Sequence, residues 1–354
     1  MSEILSLEEK KRRILANCNL EDIDEVPFVV EVGPIHIATK EYYENADAEI
    51  AFSDDHAAKR TGVYDYGWGN IKTNVGIGIV AAAFGCEYVP NGEADPWARP
   101  LIKSEKDLDL IDKLKVPDPV NTPVYKKAWE RVDYLQKHSK LPLRIVNMPS
   151  PLNTASLICD NTFFLEAMIE YPDEIHCLLQ KVTDAIIGYG KEALKRITNL
   201  SGISHEFWGV PKEMGIRISD DECTLLSPNN YREFGVKYNG QIGEAFGGVI
   251  VHSCGNVSNI AAAMMETPYL KGVDYTIPQV HDWGKVRDAA AGKTALFLRH
   301  FYWDHLQDAG ANLVEYSKKI VDFFGRKGVF IETSAPTPKE AVELGEALHK
   351  ALSK

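Results

Sequence analysis

From about residue 140 to its end, the 354-residue chain alternates short apolar or β-branched runs with longer stretches of helical periodicity. That alternation restricts it to a parallel sheet covered by helices. Strands are expected near Leu143–Met148, Gly202–Trp208, Gly215–Ser219, Gly248–His252, Gly272–Tyr275, Thr294–Arg299 and Val329–Glu332. Helices are expected over Thr162–Glu170, Asp173–Arg196, Asn229–Phe246, Asn256–Met265, Trp283–Ala291, Ala311–Phe324 and Pro338–Leu352. Tyr171-Pro172 before Asp173 and Ser227-Pro228 before Asn229 mark helix starts, by a capping side chain or a first-turn proline. An earlier run, Val26–Val32, brings the count to about eight strands, which suits a (β/α)8 TIM-type barrel better than a doubly wound sheet.

Between that first run and residue 140 the sequence has no strong period. It is rich in Gly, Tyr, Trp and Asp, as in Tyr64-Asp65-Tyr66-Gly67-Trp68-Gly69-Asn70. Long irregular insertions in compact domains are usually functional covers, so this stretch is expected to cap the barrel mouth. Residues 1–140 then form an N-terminal extension with the first strand and the cap. Residues 141–354 form the main part of the barrel, and the whole is a single structural domain.

The chemistry concentrates at His252-Ser253-Cys254-Gly255-Asn256, which follows the apolar run Gly248–Val251. Residues i and i+2 of a strand share a face and lie about 7 Å apart, so the imidazole and the thiolate can hold one zinc ion. Gly255 lets the backbone turn away and leaves both side chains at the strand mouth, where barrel enzymes keep their sites. No dinucleotide or phosphate fingerprint and no GxSxG elbow occurs.

Several motifs follow one another in a recognisable order: Ile218-Ser219-Asp220-Asp221, Leu226-Ser227-Pro228, Tyr231-Arg232-Glu233-Phe234, then Val251–Asn256. Phe84-Gly85 ahead of a strand-like Cys86–Val89, Pro149-Ser150-Pro151 with Ala155-Ser156, and Thr337–Ala341 add to the series. From about residue 80 onward the chain resembles the uroporphyrinogen decarboxylase superfamily. The true decarboxylases of that superfamily carry an arginine-rich opening and an aspartate for the tetrapyrrole. Here Glu31–His36 has no arginine and Asn74–Gly78 no carboxylate.

The resemblance is closer to the zinc methyltransferases that work with corrinoid proteins. It implies transfer of a methyl group from a small methylated compound to a corrinoid (cobalamin) cofactor on a partner protein, with Zn2+ as Lewis acid. Those enzymes hold zinc by His-x-Cys plus a second cysteine near the last strand. The present chain reads Val329-Phe330-Ile331-Glu332-Thr333-Ser334 there, so Glu332 is expected to join His252 and Cys254, with Asp221 in reserve. A zinc with fewer thiolates is less electron-rich and should favour demethylation of a methoxylated substrate, a methoxylated aromatic among the candidates, over methylation of a thiol.

Other candidate site residues lie at strand ends. Asp220 and Asp221 are expected to support the metal ligands or handle protons, together with Glu206 as a catalytic group. Tyr64, Trp68, Trp208, Asn147, Arg299 and His300 are expected to contact substrate. A uroporphyrinogen-decarboxylase-like decarboxylase, a metal-dependent lyase or hydrolase, and a non-catalytic corrinoid- or metal-binding protein are the alternatives. The formal net charge of −12, without a basic patch, argues against a nucleic-acid surface. No stretch approaches the roughly 20 apolar residues of a membrane span, and the charged opening Met1–Arg12 lacks a signal-peptide core. With six scattered cysteines that read as reduced thiols, these features point to the cytoplasm. A homodimer remains open.

Overall fold

The computed structural model describes residues 4–33, 44–73, 75–91, 94–145, 148–203, 210–275, 281–300 and 312–354. Strands β1 (Phe28–Val32), β2 (Ile71–Thr73), β3 (Glu87–Asn91), β4 (Ala94–Arg99), β5 (Leu143–Ile145), β6 (Leu200–Ile203), β7 (Ile216–Ser219), β8 (Val249–Ser253), β9 (Leu270–Tyr275), β10 (Ala295–Arg299) and β11 (Val329–Ala335) form two sheets. Nine of them make one parallel sheet in the order β1-β11-β10-β9-β8-β7-β6-β5-β2, and β3 pairs antiparallel with β4. The architecture is the expected α/β barrel type, with helices on the outside. Each strand expected from the sequence has a counterpart among the described residues, with 204–208 of the Gly202–Trp208 run lying outside them; the strand-like Cys86–Val89 run is β3, whereas β2 and β4 were not expected. A three-residue strand with Lys72 at its centre carries no apolar run to read.

Helices Pro172–Arg196 and Pro338–Leu352 begin at their prolines, where the missing N–H has no partner to lose. Two expected helices differ. The stretch expected to be helical over Asn256–Met265 is helical over Ala261–Met264. The Asn229–Phe246 helix starts at Pro228 and is interrupted by a π-helical turn at Arg232–Val236.

The floor of the barrel is closed by α1 (Leu7–Cys18), whose Ile14 and Cys18 pack on Val29, Ile250, Phe297 and Phe330. Asn17 locks it in place: its Nδ2 donates to Val329 O at 2.6 Å and its Oδ1 accepts from Gly328 N–H at 3.0 Å. The outer edge of β1 is finished by the 60–66 segment, through one backbone amide and two side chains. Phe28 O accepts from Tyr66 N–H, Val30 N–H donates to Asp65 Oδ2, and Val30 O accepts from the Arg60 guanidinium. Arg60 also pairs with Glu31 at 3.0 Å and with Asp65, and Lys10 lies 3.5 Å from Asp65.

These contacts correct the cap reading. The Tyr64–Asn70 segment leads into the N-terminal end of β2, so it borders the floor and not the C-terminal mouth. Tyr64 and Tyr66 donate to buried Glu25, and the Trp68 indole N–H donates to Ser201 Oγ at 3.0 Å. The β3–β4 hairpin, which belongs to the same 33–140 stretch, does reach the cavity at the strand ends, where Trp97 and Ala98 of β4 form part of its wall.

Candidate metal centre

β7 and β8 bring the candidate ligands together. Their ladder ends with Ser219 opposite His252, and one step on Asp220 N–H donates to His252 O at 2.7 Å. The chain leaving β7 therefore runs beside the chain leaving β8, and Asp221 falls next to Cys254, whose N–H donates to Asp221 Oδ1 at 2.6 Å. His252 Nε2 lies 3.2 Å from Cys254 Sγ. The ligand atoms of Asp221, His252 and Cys254 all lie within 4.8 Å of one another. Gly255 permits this approach, because a Cβ there would come within 2.8 Å of Thr224. One nitrogen, one sulfur and one oxygen donor suit zinc, which at catalytic sites keeps three protein ligands and an open position. The donor set therefore fits such an ion.

Behind the cluster, one charged or ionisable side chain comes from each of five neighbouring strands. Asp274 of β9 stands opposite His252 in the ladder and its Oδ1 lies 3.3 Å from His252 Nδ1. Its other oxygen accepts from Arg217 Nε of β7 at 2.7 Å. Arg299 of β10 lies 3.9 Å from Asp274 and donates to Glu332 of β11 at 3.1 Å. Burial opposes the Asp274 charge, but Arg217, His252 and Arg299 outweigh it and hold the carboxyl well below its usual range. Burial and Arg217 disfavour the imidazolium of His252, yet Asp274 and Cys254 raise it to about 9. A carboxylate on Nδ1 leaves Nε2 aimed at the ligand position, the usual support for a metal-binding histidine.

Glu332 is thus held by Arg299, and the third donor of the cluster is Asp221 from the adjacent strand, the residue expected only in reserve. Asp220 turns the opposite way. It is fully buried, with Oδ1 accepting from Ser150 Oγ at 2.7 Å and Oδ2 from Tyr231 and Asn239 at 3.0 and 2.8 Å. Tyr231 and Asn239 are eight residues apart, about 80° out of line on a regular α-helix. The intervening π turn, with more residues per turn, brings both onto the Asp220 face.

A cavity of about 540 Å³ opens over the cluster, walled by Trp97, Pro149, Asn153, Asn161 and Glu222 among others, with Asp221, His252 and Cys254 in its surface. Of the expected substrate contacts, Tyr64 and Trp68 lie at the floor and Arg299 in the network behind His252. His300 faces outward: its Nε2 meets Ser317 Oγ at 3.0 Å, and burial pushes its pKa down to about 3. Asn147, Glu206 and Trp208 fall outside the described residues. Asp274, Arg217, Trp97 and Glu222 were not singled out from sequence, although charged residues inside the apolar runs of β7 and β9 were visible as a signal.

The family model described as "Uroporphyrinogen decarboxylase (URO-D)" matches residues 9–209. The chain belongs to the uroporphyrinogen decarboxylase family. Among solved structures, a methyltransferase from Methanosarcina mazei superposes with a TM-score of 0.66 over 97% of each chain at 18% identity, which establishes a common fold. A sugar phosphate isomerase/epimerase from Parabacteroides distasonis covers 73% of this chain and 98% of its own at 10% identity, but its TM-score of 0.28 carries no argument. No curated protein matches by sequence. The family model stops before His252, so the candidate metal ligands of this uroporphyrinogen decarboxylase relative rest on the geometry above. Among the described residues no helix is long and apolar enough to cross a membrane.

Proposed function

We propose that this chain is a methyltransferase that moves a methyl group from a small methylated substrate to the cobalt of a corrinoid carried by a partner protein. Zinc would be held by Asp221, His252 and Cys254. The observation that carries the reading is this nitrogen, sulfur and oxygen cluster, with ligand atoms within 4.8 Å, exposed in a cavity at the strand ends. When bound, the metal would supply a Lewis-acidic centre at the cavity surface. The protein's own residues orient and shield: Asp274 fixes the His252 ring, Asp221 holds the Cys254 amide, and the β3–β4 hairpin covers one side of the cavity. The fold of the Methanosarcina mazei methyltransferase is consistent with this assignment.

The decarboxylase alternative is less well supported. A substrate with several carboxylates needs cationic partners, and no Lys or Arg lines the cavity among the described residues. The aromatic chamber expected from Tyr64, Tyr66 and Trp68 also loses its support, because those rings lie at the floor.

The test is metal analysis of the purified protein and of its Asp221→Ala, His252→Ala, Cys254→Ala and Glu332→Ala variants, alongside methyl transfer to cob(I)alamin. The first three variants are expected to lose at least tenfold in zinc affinity, and Glu332→Ala to keep its zinc. Full zinc occupancy in Cys254→Ala would overturn the assignment.

A further inference from the structure

The cavity over the metal cluster has an unusual charge balance. A divalent ion bound by one thiolate and one carboxylate is neutral overall, so Cys254 and Asp221 leave no net charge there. Asp160 and Glu222 remain in the wall, and no Lys or Arg faces them across the cavity among the described residues. Glu222 is built in firmly. Its backbone N–H donates to Asn153 Oδ1 at 2.9 Å, while Oε1 accepts from Ser156 Oγ at 3.1 Å and Asn161 Nδ2 at 2.8 Å. Its second oxygen, Oε2, is buried and has no hydrogen-bond partner.

Two further features favour a cation. The helix starts beside the cavity offer few free amides to an anion, because Ser150 Oγ accepts from Asn153 N–H and Asp160 from Phe163 N–H. Trp97 of β4, which also lines the cavity, keeps 45% of its surface exposed, and an indole face attracts cations more strongly than any other side-chain ring. Carboxylates and an exposed indole in one cavity wall match a positively charged group with an apolar surface.

We propose that this cavity selects a quaternary methylammonium compound as the methyl donor and rejects carboxylate-bearing ones. The proposal rests on the methyl-transfer reading of the same site. When the methyl carbon bonds to a Co(I) corrinoid nucleophile, the C–N bond breaks and its electron pair stays on nitrogen. The product is a neutral tertiary amine. Charge is therefore lost from the organic molecule on reaction, and the attraction that holds the substrate no longer holds the product.

The experiment is calorimetric titration of the zinc-loaded full chain with choline, its uncharged isostere 3,3-dimethyl-1-butanol, and 4-methoxybenzoate. Choline is expected to bind at least about tenfold more tightly than the isostere, with 4-methoxybenzoate weakest. Trp97→Leu and Glu222→Gln should each weaken choline by about tenfold and leave the isostere unchanged. Thermal melts of both variants check that they fold. Equal affinity for choline and its isostere, or unaltered choline binding in Glu222→Gln, overturns the proposal. Cation-selective binding without methyl transfer to cob(I)alamin would support the cavity's selectivity and count against the methyltransferase reading. Methyl transfer from a methoxyarene without cation preference would do the reverse.

Discussion

Asp220 and Asp221 leave β7 in opposite directions, and the packing around each decides its role. Asp221 reaches the cavity and the Cys254 amide. Asp220 is enclosed, and burial pushes its pKa up to about 6 despite three donors. Because the folded value lies above the unfolded 3.8, this group's stabilisation is fully present below pH 3.8 and is lost as pH rises through 6. Asp220→Asn should remove that slope, raising stability at pH 7 relative to pH 4 by about 2 kcal/mol compared with the parent, read from urea unfolding of both proteins at the two pH values. His252-x-Cys254 was legible because a strand's two-residue period is local. The choice between Glu332 and Asp221 was not, since it depends on which strand lies beside β8 and on what Arg299 binds.

At the scale of elements, the strong apolar runs announced their strands, and proline and capping residues announced most helix starts. What escaped were elements held by tertiary contacts. β2 has three residues, and the β3–β4 hairpin carries Pro90 and Pro96 within or beside its strands, so neither shows a clean alternation. The π turn at Arg232–Val236 answers a demand made by Asp220, which no local pattern reveals. The α1 helix depends similarly on one side chain. Asn17→Ala leaves the Val329 carbonyl and the Gly328 amide without their buried partner, a loss of about 2–4 kcal/mol. A lower urea midpoint with unchanged zinc binding is the expected result.

For the whole molecule, the parallel sheet has a seam. β1 and β2 stand at the two ends of the strand order, and the gap is spanned by the 60–66 segment through Arg60, Asp65 and Tyr66. Burial opposes the Glu31 charge, but Arg60 and His56 hold its pKa at about 2, below the ordinary 4.5. Its stabilisation is present above pH 4.5 and disappears as pH falls through 2. Arg60→Ala leaves Glu31 with only His56 and Asp65 with only Lys10 as cationic partners and should cost about 3 kcal/mol. Acid unfolding followed by circular dichroism should then begin at higher pH than in the parent. The barrel class was readable from strand count and alternation. The seam was not, because the residues that span it lie in the stretch without periodicity.

Asn17 meets Gly328 and Val329 across more than 300 positions of the chain. During synthesis α1 emerges about 300 residues ahead of β11, which completes its docking site. Until then Ile14 and Cys18 have no finished surface to cover, and the floor residues of β1 and β8 wait exposed. Closure of the floor therefore acts as a late checkpoint on assembly. A nascent chain stalled before residue 328 would carry an open barrel base, the surface that a chaperone would recognise.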